Sequence, residues 1–362
     1  MTKTVLITGA SGEVGRWALA ALLELPEAVQ VRVLSLDNRS EQRFFKAYQG
    51  RIEMVWGDLR DPQAVTRAVD GVQAVIHTAA IIPPLADTRP DLAWEVNVTG
   101  TQNLINALRV QPRAVPLVYT SSISVYGDRV ANPVIRVGDP LQPSLGDEYA
   151  RTKVEAEHLV RSSGLPYTIL RLCGVLTSKL KIQPLMFHMP LDTSLEWIRP
   201  ADAGLALVKA LDFDAVWGRT FNLGGGPACQ ITARAFLQTM LPIFGLRGDL
   251  LPEQAFATDN FHSGFYADSD ALNAVLDFQR GDLAGYFAEM RRNVHPLSRA
   301  LVRLLPSALV RFYLLRMSEP LQAIRQDNQD LIRRFYGSRQ AFESLLASTT
   351  RRPLPDSGLP RR

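Results

Sequence analysis

The sequence predicts an α/β protein built on a doubly wound parallel sheet, with a smaller C-terminal domain and extra C-terminal helices. Short, nearly continuous apolar runs alternate with helical patterns through the first half of the chain. Strands that are buried on both faces have such apolar runs, and strands joined by helices pair in parallel. Because connections are short and crossovers right-handed, a Rossmann-type sheet is the simplest topology.

Each predicted element follows from a local pattern. Seven apolar runs are the predicted strands: Thr4–Thr8, Val31–Leu36, Ile52–Trp56, Ala74–Thr78, Leu117–Thr120, Tyr167–Leu170 and Thr220–Leu223. Helical spacing is found in four segments between them: Glu13–Leu25, Pro62–Val69, Pro90–Leu108 and Glu148–Ser162. We expect Pro26 to stop the first helix, Thr232 to cap a helix that ends before Gly245, and Pro306 to split the last apolar stretch.

Composition excludes several classes of protein. A hydrophobic share of 46% and a charged share of 21% are ordinary for a globular chain and exclude a disordered or fibrous one. No apolar run approaches about 18 residues, so no membrane-spanning helix is expected. The chain starts with a strand-like segment, so we expect no secretion signal. Cys173 and Cys229 form neither a disulfide framework nor a metal cluster, which favours the cytoplasm and predicts no metal site.

A glycine-rich turn joins the first predicted strand and helix. It reads Gly9-Ala10-Ser11-Gly12-Glu13-Val14-Gly15. Glycine permits a tight turn and a close approach of backbone to a pyrophosphate, which the helix N-terminus attracts. Asp37 ends the next strand, where a carboxylate can bind the ribose hydroxyls of NAD and repel a 2′-phosphate. Asn38 follows it, and Arg39 keeps NADP as an alternative. Asp37 as a plain turn residue is the simpler alternative.

Two further clusters follow the fifth strand. Tyr149 and Lys153 lie four residues apart on a helix, where the ammonium is expected to lower the phenol pKa towards that of a general base. Chance surface pairs share this spacing. Thr120, Ser122 and Ser124 close the strand itself, at the sheet edge where ligands bind. A serine cluster in that place is more often a turn than a catalyst.

Together these motifs resemble the extended short-chain dehydrogenase/reductase family, which includes NAD-dependent sugar epimerases, dehydratases and 3β-hydroxysteroid dehydrogenases. The resemblance runs from Thr4 to Leu283 and rests on motifs in register: Thr8–Gly15, Asp58-Leu59, His77-Thr78-Ala79-Ala80, Asn97–Thr101, Tyr149 with Lys153, Phe221–Gly226 and Tyr266–Ser269. It implies that Tyr149 is the acid/base and that Lys153 holds the nicotinamide ribose. It also implies that Ser122 orients the reacting oxygen with help from Ser124 and that Asn97 supports the site. The implied cofactor contacts are the glycine turn, Asp37–Arg39, Asp58-Leu59, His77–Ala80, Asn97, Thr120, Tyr149 and Lys153, whereas Phe221–Gly226 and Tyr266–Ser269 are landmarks of the substrate domain.

Residues that this chain lacks narrow the choice among the branches of the family. Sugar dehydratases carry an acid where this chain has Ile123 and Ser124, and elimination of water needs that group. Met186–Met189 are softly apolar and suit a lipophilic substrate, although they could equally fill a core. The favoured function is therefore oxidation or reduction of a secondary alcohol or ketone on a lipophilic or aromatic small molecule. A nucleotide-sugar epimerase and a catalytically silent dinucleotide sensor are the alternatives.

The resemblance also suggests a domain plan. Residues 1–172 form the NAD(P)-binding domain, with 197–226 returning to it, and 173–196 with 227–290 form the substrate-binding part. Residues 291–350 are a basic helical extension and 351–362 a disordered tail. From residue 291 the chain holds fourteen arginines, no lysine and five acids, a net charge of +9 that leaves −5 on the first 290 residues. A helical cap or dimer flange is the favoured role, a peripheral membrane contact the alternative, and nucleic acid is not an expected partner. We expect a homodimer.

Overall fold

A parallel sheet is the centre of the computed structural model, which describes residues 3–25, 29–177 and 182–351, with side chains to residue 347. The strands are β1 (Lys3–Thr8), β2 (Val29–Ser35), β3 (Ile52–Trp56), β4 (Ala74–His77), β5 (Leu117–Ser122), β6 (Val134–Ile135), β7 (Tyr167–Leu172), β8 (Gly174–Val175), β9 (Ser194–Ile198), β10 (Arg219–Leu223), β11 (Gln230–Thr232) and β12 (Phe265–Tyr266). Seven of them pair in parallel, in the order β3-β2-β1-β4-β5-β7-β10. This confirms the predicted fold class.

The order of the strands reverses between β1 and β4. Thr8 and His77, at the carboxyl ends of these strands, are paired in register. In open sheets of this kind, ligands bind in the crevice outside the carboxyl ends of the strands at such a point. The fold therefore directs the search for a site to the segments that follow β1, β4 and β5.

The described residues also form α-helices, some of which cover both faces of this sheet. They are α1 (Gly15–Leu23), α2 (Arg39–Phe45), α3 (Pro62–Val69), α4 (Leu85–Thr88), α5 (Pro90–Trp94), α6 (Gly100–Arg109), α7 (Glu148–Arg161), α8 (Pro200–Lys209), α9 (Ala233–Ile243), α10 (Ser269–Leu276), α11 (Leu283–Asn293), α12 (Pro296–Leu304), α13 (Ser307–Leu315), α14 (Glu319–Arg325), α15 (Gln329–Tyr336) and α16 (Arg339–Arg351). The helix predicted over 90–108 is interrupted by a π-helical turn, Glu95–Thr99.

Alternation along β1 separates two apolar cores. Val5 and Ile7 pack with residues of α1 and α8, whereas Leu6 packs with residues of α3, α6 and α7. Successive side chains of a strand point to opposite faces, so a strand buried on both faces reads as one apolar run. This is why the strand segments of the sheet were visible in the sequence.

The chain divides into two compact units. Unit 1 comprises Met1–Leu180, Ser194–Ile231 and His262–Glu289, and it holds the seven-stranded sheet. Unit 2 comprises Lys181–Thr193, Thr232–Phe261 and Met290–Arg362, and the regular elements of its described residues are helices apart from the end of β11. One core of unit 2 is formed by α14, α15 and α16 with a preceding loop, through Ala257, Ala323, Ile332, Phe335, Tyr336 and Phe342.

Several predicted boundaries are in place. Thr232 accepts a hydrogen bond from the backbone N–H of Ala235 (3.3 Å), and α9 stops before Gly245, whose φ is +86°. Pro306 separates α12 from α13. The first helix ends at Leu23, and the residue predicted to stop it, Pro26, lies outside the described residues. Of the predicted tail, Arg351 ends α16, and 352–362 lie outside the described residues.

Candidate dinucleotide and redox site

In the turn after β1, close packing requires a glycine at positions 9 and 15 but not at position 12. A Cβ on Gly9, whose φ is +70°, would lie 2.6 Å from the backbone nitrogen of Ala79. A Cβ on Gly15 would lie 2.1 Å from the Gly9 oxygen. A Cβ on Gly12 would meet only the Gly9 oxygen, at 3.2 Å, and Gly12 is exposed. The surface beside Gly12 is thus open to a ligand.

The N-terminus of α1 has no side chain that caps it. Val14 is the N-cap residue and accepts no hydrogen bond through its side chain, while Ser11 and Glu13 are only half-buried in the turn. The positive end of the helix dipole and the N–H groups of the first turn therefore favour an anion. A diphosphate fits this turn.

Arg16 adds a positive charge that the sequence analysis missed. Its guanidinium donates from Nη2 to the Ser11 oxygen (3.0 Å) and from Nε to the Gly12 oxygen (3.2 Å). The side chain is therefore folded back onto the glycine turn. The glycine spacing drew attention to the backbone, and only the fold shows which way this arginine turns.

The residues after β2 have three different roles. Asp37 is exposed and accepts a hydrogen bond from the amide of Gln42 (2.5 Å). Asn38 caps α2, because its side-chain oxygen accepts from the backbone N–H groups of Ser40 (2.9 Å) and Glu41 (3.1 Å). Arg39 is the first residue of α2 and is exposed. A carboxylate and a cation are thus both available beyond β2.

Asp58 follows β3, at the edge of a cavity of about 490 Å³. Its carboxylate accepts three hydrogen bonds from Arg60, at 2.8 to 3.0 Å, and Arg60 also pairs with Glu95 (2.8 Å). Although partial burial acts in the opposite direction, these bonds hold the pKa of Asp58 below its usual value. Leu59 is buried in the core, and its backbone oxygen accepts from Asn103 (3.0 Å). Arg60 is a second cation that the sequence analysis missed.

His77 is enclosed where β4 ends. Its Nδ1 lies 2.6 Å from the hydroxyl oxygen of Thr8, and its Nε2 lies 3.0 Å from that of Thr101. The Thr101 hydroxyl donates to the Asn97 oxygen, so Nε2 carries the proton and Nδ1 accepts. Burial and the nearby Lys153 lower the pKa of His77 to about 3. Through these two hydrogen bonds the neutral ring joins β1, β4 and α6. Because both ring nitrogens are occupied, a cofactor would have to contact the backbone of His77.

The loop after His77 lies against the glycine turn. Thr78 donates from its hydroxyl to the Thr8 oxygen (2.7 Å), and the backbone nitrogen of Ala79 approaches Gly9 closely. Ala79 and Ala80 are half-buried and present only small side chains. The loop therefore forms a wall of the turn without filling the space above it.

Asn97 joins this loop to α7, the helix that carries Tyr149, by hydrogen bonds. Its amide exchanges two hydrogen bonds with the backbone of Ile81, at 2.7 and 3.0 Å, and donates a third to the hydroxyl of Thr152 (2.9 Å). Asn97 is buried within the π-helical turn. It is a positioning residue, because Thr152 precedes Lys153 on α7.

The serine cluster extends β5 into the crevice. Ser124 donates from its hydroxyl to Ser122 (3.0 Å) and also from its backbone N–H (3.2 Å). Ser124 is buried, whereas Ser122 is partly open to solvent. Thr120 lies two residues earlier on β5. Its hydroxyl donates to the backbone oxygen of His77 (3.1 Å) and so joins β5 to β4. Of the three, Ser122 offers its hydroxyl to a ligand.

Tyr149 meets Ser122 at this edge of the sheet. Asp147 caps α7 through the backbone N–H of Ala150 (2.9 Å) and so starts the helix just before the tyrosine. The Ser122 hydroxyl lies near enough to the Tyr149 phenol to act on its pKa. Burial raises the pKa of Tyr149 above its ordinary value, and this outweighs the lowering effect of Ser122. We expected a lowered pKa; the desolvation of the phenolate is the reason for the difference.

Lys153 lies behind the tyrosine. Its Nζ donates to the Thr120 oxygen (2.8 Å) and to the hydroxyl of Tyr119 (3.3 Å), and it lies 5.9 Å from the centre of the Tyr149 ring. Burial lowers the pKa of Lys153 to about 7, against a smaller raising effect from Glu157. Burial dominates the pKa of Tyr149, so the nearby Lys153 does not bring it below its ordinary value as the spacing suggested.

A buried ion pair supports the same helix, and the sequence analysis did not find it. Arg171 at the end of β7 grips Glu157 on α7 with two hydrogen bonds, at 2.7 and 2.8 Å. A third bond from Arg171 reaches the hydroxyl of Tyr126 (2.7 Å), which in turn donates to Asn222 (2.6 Å). Arg171 and Glu157 are each 2% exposed or less. Glu157 follows Lys153 by one helical turn, so the pair fixes the rotation of α7.

The softly apolar segment predicted to line a pocket belongs to a core. Phe187 in unit 2 is fully buried, with its ring 5.2 Å from that of Phe256. His188 donates from Nε2 to the Glu319 carboxylate (2.7 Å) and packs on Phe335. Of the two alternatives, filling of the core is the one observed for Phe187. This segment therefore gives no support to a lipophilic substrate.

Two features are absent from the described residues, a metal-binding cluster and a membrane-spanning helix. Within 3–25, 29–177 and 182–351, no group of three or more metal-ligating side chains comes together. In the same part of the chain, no helix combines the length and apolar character needed to cross a bilayer.

Comparison with known proteins gives a family match for the first half of the chain. Residues 6–166 match the model of the 3-beta hydroxysteroid dehydrogenase/isomerase family. The 3 beta-hydroxysteroid dehydrogenase type 7 of Mus musculus is 34% identical over 163 residues, which are 44% of this chain and 44% of the mouse protein. An uncharacterized protein of Sinorhizobium fredii is 31% identical over 175 residues, 47% of this chain and 41% of that protein. The chain thus spans less than half the length of these relatives.

Solved structures share the fold over most of the chain. A dTDP-glucose 4,6-dehydratase double mutant from Streptomyces venezuelae, solved with NAD, has a TM-score of 0.66 at 24% identity and covers 80% of this chain and 95% of its own. A short-chain dehydrogenase/reductase superfamily protein from Agrobacterium tumefaciens, also with NAD, has a TM-score of 0.58 at 21% identity, over 90% and 100%. These findings confirm the predicted resemblance to the extended short-chain dehydrogenase/reductase family. The predicted class, an NAD-dependent dehydrogenase or epimerase, is the class of the proteins that this chain resembles.

Proposed function

Because residues 6–166 match a family of hydroxysteroid dehydrogenases, we propose that this chain is an NAD(P)-dependent oxidoreductase. Its proposed reaction interconverts a secondary alcohol and a ketone on a lipophilic or aromatic small molecule. The observation that carries the proposal is the proximity of Tyr149 to Ser122 at the carboxyl end of β5, with the Lys153 ammonium 5.9 Å from the centre of the Tyr149 ring. The lipophilic character of the substrate rests on the family match alone.

The open face of the glycine turn supports dinucleotide binding. The surface at Gly12, the uncapped end of α1 and the Arg16 guanidinium suit a diphosphate. Asp37 suits the adenosine ribose and favours NAD over NADP. Asp58 borders a cavity of about 490 Å³ that could hold the adenine. A nicotinamide bound in the crevice would supply the hydride acceptor.

Tyr149 would handle the proton of the reaction. Its phenol is neutral in the ligand-free protein, since burial holds its pKa above the ordinary value. A neutral phenol can donate a proton to the oxygen of a ketone during reduction. During oxidation Tyr149 would first release its proton to solvent, and the phenolate, stabilised by a protonated Lys153, would then accept the alcohol proton while the hydride goes to the nicotinamide. Ser122 orients the reacting oxygen through its exposed hydroxyl, and Ser124 holds Ser122 in place.

The test is turnover of NAD by the full chain with a panel of hydroxysteroids, aromatic secondary alcohols and nucleotide sugars. We expect NADH to accumulate with at least one lipophilic alcohol, and Ser122→Ala to reduce this rate at least tenfold. Ser162→Ala is the matched control, since Ser162 is exposed at the far end of α7. Conversion of a nucleotide sugar without net NADH would instead support the epimerase. NAD binding without turnover of any compound would support a sensor.

Two further properties are proposed with this function. A cytoplasmic location is supported by the two buried, unpaired thiols of Cys173 and Cys229, which suit a reducing compartment. The expected homodimer stays a prediction, and sedimentation equilibrium of the purified chain measures it directly.

A further inference from the structure

Helices α12 and α13 of unit 2 expose a dense group of large apolar side chains, which we call the α12–α13 surface. Leu297, Leu301, Leu304, Leu305, Leu309, Phe312 and Tyr313 are between 48% and 80% exposed. Scattered exposed leucines are normal, but seven within seventeen residues of sequence form a patch, and large exposed patches on soluble proteins mark sites of interaction.

Helix α12 is oriented opposite to an ordinary surface helix. At 3.6 residues per turn, Leu297, Leu301 and Leu304 share one face, and Arg299 and Arg303 lie on the other. A surface helix normally turns its apolar face inward. Here no residue of α12 is buried, and Arg299 lies against Gly245, where an added Cβ would be 2.5 Å from its backbone oxygen. The side of α12 that meets the protein thus carries the half-buried Arg299 and Val302, while Arg303 is exposed.

Helix α13 divides its apolar residues between two faces. Leu314 is buried in the unit, whereas Leu309, Phe312 and Tyr313 lie on the opposite side and are about 60% exposed or more. The guanidinium of Arg316 lies 5.8 Å from the centre of the Phe312 ring. An arginine beside an exposed aromatic ring is the arrangement in which the ring enters an apolar medium while the charge stays at its boundary.

The charge of this segment has one sign. From Met290 to Ser318 the sequence contains six arginines and no acidic residue. The arginines are Arg291, Arg292, Arg299, Arg303, Arg311 and Arg316. Each arginine of α12 and α13 stands within one helical turn of an exposed apolar residue. A partner of this surface must therefore offer an apolar interior to the leucine and aromatic side chains and negative charges to the arginines around them.

We propose that the α12–α13 surface docks on a lipid bilayer that contains anionic headgroups. Amphipathic helices with arginine on the polar side and leucine and phenylalanine on the other bind the interface of a bilayer in this way. The apolar side chains enter the boundary of the acyl chains, and the arginines meet the phosphates above them. The protein would be attached at one surface, with no segment crossing the bilayer.

A second copy of the chain is the weaker candidate for the occupant. In a two-fold dimer the same patch meets itself, so six arginines would face six arginines without an acid from within the segment. Like charges brought together across an interface cost several kcal/mol. An anionic bilayer has the complementary charge and the apolar depth, and so satisfies both features of the surface.

The test is co-sedimentation of the full chain with vesicles of phosphatidylcholine alone and of phosphatidylcholine with phosphatidylglycerol. We expect binding to the anionic vesicles, weaker binding to the neutral ones, and partial release by salt because only the electrostatic part is screened. Each of Leu301→Gln and Phe312→Gln should weaken binding about tenfold, since burial of such a side chain contributes about 1.5–3 kcal/mol.

Charge variants separate the two contributions. Each of Arg303→Gln and Arg311→Gln should weaken binding to anionic vesicles about fivefold and leave binding to neutral ones unchanged. Val110→Gln is the matched control, because Val110 is 76% exposed at the end of α6 in unit 1. Circular dichroism melting curves that coincide with that of the wild type show that each variant is folded.

Three results would overturn the proposal. The first is a wild-type chain that stays in the supernatant with anionic vesicles. The second is a folded Leu301→Gln, Phe312→Gln double variant that binds as tightly as the wild type. The third is a wild-type dimer that Leu301→Gln converts to a monomer without any binding of vesicles, which would assign the surface to a second copy.

Discussion

In most proteins apolar side chains are buried and charged ones are exposed. The carboxyl end of β5 and the α12–α13 surface both depart from this distribution, in opposite ways. Around α7, groups that normally stay in water are buried: Lys153, Glu157 and Arg171 are each 2% exposed or less. On α12 and α13, groups that normally leave water are exposed. Apolar residues inside and charges outside is the arrangement that stability alone favours. The difference teaches that the site in unit 1 depends on the fold for its polar partners, whereas the surface in unit 2 needs a partner from outside.

The largest effect on stability is expected in the buried network. Arg171→Met removes two charge-assisted hydrogen bonds from the buried Glu157 and leaves Arg161 as its remaining cationic partner, which costs about 3 kcal/mol of unfolding free energy. Urea unfolding measures it. Arg247→Met is the matched control, because the Arg247–Asp249 pair is more than two-thirds exposed and its loss should leave the unfolding free energy nearly unchanged. A loss below about 1 kcal/mol for Arg171→Met would mean that the pair does not hold α7.

The next effect is a dependence of stability on pH. The folded pKa of Lys153 is lowered to about 7 from 10.5, so between these values the unfolded chain binds a proton that the folded chain does not. Stability therefore rises with pH in this window, and the cost of the buried charge is fully present below about pH 7. Lys153→Met removes this cost. Relative to the wild type, it should gain about 3 kcal/mol more at about pH 6 than at about pH 9.

Urea unfolding of both proteins at the two pH values is the measurement, and Lys46→Met, at an exposed lysine of the same sheet unit, is the control. The other titrating groups are shared by both chains, so they cancel in the difference. An advantage of Lys153→Met that is equal at both pH values would show that the lysine keeps its charge within the fold.

A smaller effect is expected on the choice of cofactor. Asp37→Asn removes the negative charge that suits the ribose hydroxyls of NAD and repels a 2′-phosphate. The ratio of the Kd values for NADH and NADPH should shift towards NADPH about tenfold, since a hydrogen bond to a charged group contributes about 1.5–3 kcal/mol. Fluorescence titration measures both values. Asp70→Asn, at the exposed end of α3, should leave the ratio unchanged, and an unchanged ratio for Asp37→Asn would contradict the role of Asp37.

The smallest effect is expected on the exposed surface itself. Leu301→Ala should change the unfolding free energy by less than about 0.5 kcal/mol, because the side chain has no packing to lose. Leu104→Ala, the same substitution on buried α6, should cost about 2–5 kcal/mol. Equal losses for the two would show that α12 packs its apolar face in solution, and the comparison between the two regions would fail.

Much of the fold was readable because its strands are apolar on both faces. Ile52–Trp56 and Pro62–Val69 have the predicted bounds, since turns and a proline mark them. The π-helical turn at Glu95–Thr99 was not predictable, because the helical spacing continues through it and only the buried bonds of Asn97 account for it. Pairing of β6 with β12 joins residues more than a hundred positions apart, and neither strand has an apolar run of useful length.

The site was predictable in its residues and less so in its electrostatics. Motif spacing led to Tyr149, Lys153 and Ser122, which the fold brings together. The pKa values depend on burial, which spacing does not reveal, and burial raises that of Tyr149. Arg16, Arg60 and Arg171 were missed because the direction of a long side chain is set by tertiary contacts.

The central claim is that Tyr149 transfers the proton in an NAD-linked reaction at the carboxyl end of β5. Steady-state kinetics of Tyr149→Phe, with NAD and the best alcohol of the panel, test it most directly. We predict that kcat falls by about 10²–10⁴, while the Kd for NADH and the melting temperature stay at the wild-type values. Tyr48→Phe, away from the crevice residues, keeps the wild-type kcat. A folded Tyr149→Phe protein that keeps most of the wild-type kcat would contradict the account.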